Sequence, residues 1–387
     1  NTDFSTRLYE EIKRLNSPEN IDPRYKFLRY HQNVVRSFLS DINIGTRGLL
    51  VAHEPGTGKS LIGAAISVDA VENPHHQLQP IILLTKSLQP NFKKGILQYM
   101  KLRSACDPSW THGKLSEQEM NAWINLKFSF VSMNAGNMMR QMVRVAEGSL
   151  GAEYNKAVGS MLDDRIEVII ASGSLDNKLL IVDEAHNLFR AMTNNSSNAI
   201  QLYNMIMRAR GLKLVFLTGT PCSNDPFELV PCMNMLAGKV VLPEDYDEFV
   251  KYFVDEKRGL IKNKDKFQNR IMGLVSYVTR TTKFTTNTSM NTRASDSVFP
   301  TVFPRIIEYI PMDGEQYAVY ALAREKELEE SKRVWKRSSS ARLNKPKNEA
   351  ASSYRQQSRQ LSNYCPPKKF RETKFSDINV NEIEDND

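Results

Sequence analysis

The segment HEPGTGKS, residues 53–60, constrains the fold of this chain more than any other stretch. It follows the apolar run RGLLVA and precedes LIGAAISV, an order that predicts a strand, a tight loop and a helix. A loop that grips phosphate needs glycines, so that backbone N–H groups can converge on the phosphate oxygens. It also needs a lysine to neutralise charge and a hydroxyl to hold Mg²⁺. Gly56, Gly58, Lys59 and Ser60 supply these, and Pro55 and Thr57 complete the loop. His53 stands where the motif usually carries Gly or Ala, which is its most tolerant position. The alternative for the segment alone is a glycine-containing turn at a strand end.

A companion motif decides between the two. KLLIVDEAHN places Asp183 and Glu184 after a run of apolar residues, about 125 residues beyond the loop. Asp183 is expected to hold Mg²⁺, directly or through water, and Glu184 to orient and deprotonate an attacking water. His186 is placed to couple these acids to the next strand. A strand that merely ends in solvated acids would not account for both motifs together, so nucleotide hydrolysis is the expected chemistry.

Five short runs, GLLVA, PIILLT, KFSFVSM, KLLIVDEA and LKLVFLTGT, are apolar on both faces and separated by helical stretches. That pattern predicts an α/β sandwich built on a parallel sheet. Residues 134–175 are expected to be helical, with their methionines in the core. Residues 244–280 are also expected to be helical and amphipathic. A polar, Pro-punctuated linker follows, then a strand-and-helix pattern starting at RIIEYI, with Asp313 as N-cap.

Composition excludes several classes. Of 387 residues, 41% are hydrophobic and 25% charged, which describes an ordinary globular chain. No apolar run reaches the roughly 18 residues needed to span a bilayer, and no secretory leader is seen. The absent initiator Met suggests a fragment or a processed chain. Cys106, Cys222, Cys232 and Cys365 are scattered, which fits a reducing compartment and no metal site. The net charge of +8 is concentrated between Ser331 and Lys374, where 13 Lys and Arg face only Glu349 and Glu372. Either a polyanion contact or a solvated basic linker fits that stretch. SDINVNEIEDND, at the end, is acidic and expected to be loosely held.

The motifs together resemble superfamily 2 helicases and translocases of the DEAH-box, chromatin-remodeller-like kind. The resemblance rests on the phosphate loop, DEAH, TGTP on the next strand, and the wording TGTPCSNDPFEL. Phrases such as FVSMNA and GLVSYVTR are similar to the nucleoside triphosphate phosphohydrolase I and early transcription factor helicases of poxviruses and related large DNA viruses. The resemblance implies that Gln32, in LRYHQ, reads the adenine edge, and hence that the nucleotide is ATP with Mg²⁺. It implies nucleic-acid contacts from Lys86, Ser87, Asn91, Ser132, Asn134, Thr218 and Thr220, with double-stranded DNA favoured as the track. RNA polymerase or a transcription complex is the implied protein partner, no membrane is involved, and the location is cytoplasmic, in a viral factory or virion.

The implied layout is an N-terminal helical extension over 1–24, then a first RecA-like, ATP-binding lobe over 25–240. A helical segment and linker over 241–303 lead to the basic start of a second lobe over 304–375, and 376–387 form an acidic tail. One departure stands out: such motors take an arginine finger from a Gly-Arg…Arg helix of the second lobe, and no such segment occurs here. The chain is therefore expected to be a piece of a longer motor, or one that lost its second lobe. The rival from another class is a non-catalytic RecA-like scaffold that only senses nucleotide. Intact Lys59, Asp183 and Glu184 speak against it. A small-molecule kinase would leave DEAH and TGTP unexplained.

Overall fold

The computed structural model describes residues 22–40, 46–73, 78–147, 175–255, 260–279, 308–335 and 356–365, with three single residues nearer the start. The five runs expected to be strands are strands: β1 (Gly48–His53), β2 (Gln79–Leu84), β3 (Ser129–Ser132), β4 (Lys178–Asp183) and β5 (Lys213–Thr218). Alternate side chains point to opposite faces, so an apolar run of this kind builds two cores at once. Leu50, Ala52, Leu180, Val182, Leu214 and Phe216 enter one core, while Leu49, Val51, Leu179, Ile181, Val215 and Leu217 enter the other. Fully burying such a side chain contributes roughly 1.5–3 kcal/mol.

Helices α1 (Tyr30–Ser40), α2 (Lys59–Glu72), α3 (Gln89–Cys106) and α4 (Glu117–Lys127) supply the second of these cores. The other is filled by α5 (Met138–Glu147), α6 (His186–Thr193), α7 (Ser197–Arg208), α8 (Leu229–Ala237) and α9 (Tyr246–Phe253). The methionines of α5, Met138, Met139 and Met142, are buried core residues, as expected. The rest of the helical expectation for 134–175, beyond residue 147, lies largely outside the described residues.

The expectation of helix throughout 244–280 is corrected. After α9 come a short antiparallel pair, β6 (Val254–Asp255) and β7 (Leu260–Ile261), and helix α10 (Lys264–Ile271). Val275–Val278 then forms strand β8, which pairs in parallel with β1. The main sheet is thus six-stranded and parallel, in the order β3-β2-β4-β5-β1-β8. Helical periodicity hides β8 because it is an edge strand whose Tyr277 is 68% exposed, so its pattern is not that of a doubly buried run.

A buried polar cluster ties the helices of one face together. The Asp69 carboxylate accepts hydrogen bonds from Arg36 (2.7 Å), Arg103 (3.3 Å) and the hydroxyls of Tyr99 (3.1 Å) and Tyr25 (3.3 Å). The Asp69 side chain is 12% exposed, and four donors satisfy the ion where an unpaired charge would be destabilising.

The chain divides into two compact units, the first spanning residues 1–299 with 342–344, the second the remainder. Among the described residues, the second contains α11 (Gly314–Trp335) and α12 (Gln356–Asn363). Asp313 caps α11 as expected, its Oδ1 accepting from the Glu315 and Gln316 amides. Ser358 of α12 donates through both its amide and its hydroxyl to the buried Glu327 of α11. Glu308–Ile310, expected in a strand, carries no strand assignment. Tyr309 is 92% exposed there, and among the described residues no strand pairs with it. Apart from Thr6, Glu10 and Lys13, the 1–24 extension up to residue 21 lies outside the described residues, as do the linker after 279, most of the basic stretch and the acidic tail.

Candidate nucleotide site

In a parallel sheet all strands point their C-terminal ends the same way, and the loops that leave them gather along one edge. Register puts Ala52 of β1 opposite Thr218 of β5, and Asp183 of β4 opposite Leu217 of β5. The phosphate loop, the TGTP turn and the Asp-Glu pair therefore leave three adjacent strands, β1, β5 and β4, at one level.

The loop has the backbone its sequence predicts. Gly56 and Gly58 sit at φ 84° and 86°, a left-handed region that favours glycine. Gly58 also has no room for a side chain, because a Cβ there would lie 2.3 Å from Gln32 Nε2. Lys59 begins α2 and its Nζ donates to the carbonyls of His53 (2.9 Å) and Glu54 (3.4 Å), while Ser60 is exposed one residue on. Thr57 is buried and its hydroxyl donates to Glu54 O. Pro55 and Gly56 are exposed.

Gln32 lies beneath the loop. Its Nε2 donates to Thr57 O (3.1 Å) and its Oε1 accepts from the Arg29 amide (2.9 Å), so both ends of the amide hold protein groups. His31 Nε2 shares a 2.9 Å hydrogen bond with the same Thr57 carbonyl. His53, fully buried, shares a 2.9 Å hydrogen bond between its Nε2 and Ser276 Oγ of β8. Burial first, then His31 and Lys59 nearby, pull the His53 ring down to about 3, so it is neutral at physiological pH. Sequence reading missed both histidine contacts, since Ser276 lies more than two hundred residues away.

At the end of β4, burial raises the Asp183 carboxyl to about 6, and the neighbouring Glu184 adds to the rise while Lys59 opposes it. Such a carboxylate favours a cation beside it. The donor set, one carboxylate and the Ser60 hydroxyl next to a phosphate loop, fits Mg²⁺, which keeps most of its coordination for water and nucleotide phosphates. Among the described residues no group of three His, Cys, Asp or Glu could hold a metal by itself. Glu184 adopts φ 50°, unusual for a residue other than Gly or Asn, and its amide donates to Asp183 Oδ1. Its side chain is 40% exposed.

His186 lies between the two strand ends. Its Nδ1 lies 2.9 Å from Thr218 Oγ1, 3.5 Å from Thr220 Oγ1 and 3.3 Å from Glu184 Oε2. Burial lowers its pKa, with Glu184 opposing. The Glu228 carboxylate, buried, accepts from the amides of Ser223 (2.9 Å) and Asn224 (3.5 Å) and so closes the TGTP turn.

The residues expected to touch nucleic acid divide by exposure. Lys86, Ser87 and Asn91 after β2, Asn134 after β3 and Thr220 after β5 are exposed on the same edge of the sheet. Ser132 and Thr218 are buried. The Ser132 amide donates to Gln141, and the Thr218 hydroxyl accepts from the Thr220 amide and meets His186. Among the described residues no helix is long and apolar enough to cross a membrane.

The family model of the SNF2-related domain matches residues 30–363. The chain is 35% identical over 376 residues to a protein of African swine fever virus named "Termination factor NPH-I homolog", covering 93% of this chain and 46% of that one. It is 28% identical over 293 residues to a protein of Acanthamoeba polyphaga mimivirus whose name places it among ATP-dependent RNA helicases, covering 70% and 46%. The chain thus spans about half the length of these relatives. A solved SWI2/SNF2 ATPase core of Sulfolobus solfataricus in complex with double-stranded DNA overlaps 79% of this chain and 53% of its own, at 18% identity and a TM-score of 0.42. With a phosphate loop, an Asp-Glu-Ala-His strand end and a TGTP turn on adjacent parallel strands, and a family match across most of its length, this chain belongs to the SNF2-related domain family.

Proposed function

We propose that this chain is the nucleotide-hydrolysing lobe of an ATP-dependent translocase that moves on double-stranded DNA in viral transcription. The observation that carries the reading is the contact at His186. It joins Glu184, the candidate base, to Thr218 and Thr220 on the turn beside the exposed nucleic-acid candidates. A shift of that turn on DNA binding is felt at the water-activating group.

In this reading the loop amides around Gly56 and Gly58 take the phosphates, and Lys59 leaves the His53 carbonyl to neutralise the β/γ charge. Ser60 and Asp183 would hold Mg²⁺, which neutralises phosphate charge when bound. Glu184 accepts the proton of the attacking water. Gln32 selects adenine only if its amide turns from Arg29 and Thr57 to the base, so loss of ATP preference in Gln32→Ala supports that role. A guanidinium from a second lobe is commonly worth about 10³–10⁵ in rate, so this lobe alone is expected to turn over slowly. The termination-factor name of the African swine fever virus relative supports a transcription complex, including RNA polymerase, as the partner, and a viral factory or virion as the location.

The test is ATP hydrolysis by the full chain with and without double-stranded DNA, and with RNA as competitor. Stimulation by duplex DNA is expected. Nucleotide binding with no hydrolysis under any condition would favour a scaffold that only senses ATP.

A further inference from the structure

We infer that His53 and Ser276 are positioning residues that carry the state of the phosphate loop into strand β8. The inference rests on the nucleotide-binding role proposed for the loop. Beyond the β1–β8 ladder, two hydrogen bonds join β8 to the residues that lead into the loop. The side chain of His53 meets Ser276 Oγ at 2.9 Å, and the Glu54 amide donates to Val278 O at 3.0 Å. These same two residues offer their carbonyls to Lys59. Each is therefore held on one side by the lysine that would take phosphate charge, and on the other by β8.

Chemistry limits what else His53 can be doing. Its ring is fully buried, its Nδ1 has no partner among the described residues, and it stands edge-on to His31 at 5.5 Å between ring centroids. A ring closed off from solvent, with Ser276 Oγ as its hydrogen-bond partner, has no path among the described residues along which to pass a proton. What remains is mechanical. The usual Gly or Ala at this position could make no such bond. A histidine makes the first loop residue rigid with respect to the edge strand, while His31 and Gln32 fix Thr57 from below.

The direction of the link follows from the chain itself. Among the described residues β8 is the last strand of the first unit, and after Thr279 the sequence runs on towards the residues of the second. When Lys59 leaves the His53 and Glu54 carbonyls for a nucleotide, the pull on these two residues changes. β8 is the element bonded to both. The bond between His53 and Ser276 is thus the side-chain half of a connection from nucleotide to the segment that joins the units.

Hydrogen–deuterium exchange on the full chain tests this, with a non-hydrolysable ATP analogue and Mg²⁺ and with binding measured on the same samples. In the wild type the analogue should change exchange in the peptides covering 50–54 and 274–279. Ser276→Ala should reduce the change at 274–279 by about 2- to 10-fold, the effect of one net hydrogen bond. Ser276→Thr, which keeps the hydroxyl, should retain it. His53→Asn should behave like Ser276→Ala, and the double variant should lose no more than the worse single one. If the analogue binds and the response of β8 is the same in wild type and Ser276→Ala, the inference is overturned. If the analogue fails to bind the wild type, the proposed nucleotide role itself falls, and this inference with it.

Discussion

Gly58→Ala should damage the loop for two separable reasons. At φ 86° an L-residue in the left-handed region costs about 1–2 kcal/mol. The new methyl would also lie 2.3 Å from Gln32 Nε2. The tip of a free glutamine would swing aside, but this one is buried and bonded at both ends, to Arg29 N and Thr57 O. Displacing it gives up two hydrogen bonds at about 0.5–1.5 kcal/mol each. The total is roughly 2–5 kcal/mol, felt as misdirected loop amides, and 2 kcal/mol alone is about 30-fold in affinity. Titration with a fluorescent ATP analogue measures it, with thermal unfolding as a check on the fold. Gln32→Ala removes the obstacle, so the double variant should bind better than the product of the two single losses predicts. Strictly additive losses would refute the steric half of the argument. Wild-type affinity in Gly58→Ala would refute both halves.

Lys59→Ala should weaken ATP binding at least about tenfold, since a hydrogen bond to a charged group contributes roughly 1.5–3 kcal/mol; unchanged affinity in the titration contradicts the assignment. Asp69→Ala removes the acceptor from Arg36, Arg103 and two tyrosine hydroxyls, and should destabilise the fold by about 3–5 kcal/mol in urea unfolding. A loss below about 1 kcal/mol would show that water replaces the carboxylate. Neutralising Lys332, Arg333, Lys336 and Arg337 together should flatten the slope of log K against log salt for duplex DNA, by up to about 0.9 for each phosphate no longer neutralised. An unchanged slope would mark the basic stretch as a linker or a protein-docking surface.

The sheet was legible where both faces of a strand are buried, because Val, Ile and Leu then run without interruption. β1, β2, β4 and β5 read directly for that reason. β8 did not, since Ser276 and Tyr277 interrupt its apolar run and short amphipathic helices precede it. Its membership of the sheet depends on pairing with β1, a tertiary contact that local pattern does not carry. The same division runs through the site. Lys59, Asp183 and Glu184 are marked by spacing, because phosphate and metal chemistry demand those types after those strands. His186 follows Asp183 and Glu184 in the same motif, and its ring lies 2.9 Å from Thr218 Oγ1. The bond of His53 to Ser276 and the closing of the TGTP turn by Glu228 depend on distances that only the folded chain sets.

The most direct measurement of the central claim is Glu184→Gln, with ATP–Mg²⁺ affinity and DNA-dependent hydrolysis determined on the same preparation. Gln keeps the size and hydrogen-bonding reach of the side chain but cannot take a proton from water. Affinity should stay within about twofold of wild type and turnover should fall by at least about 10²-fold, in keeping with the usual contribution of a general base. Affinity and turnover falling together would make Glu184 a structural or metal-holding residue, and hydrolysis undiminished in the variant would contradict the assignment of the site.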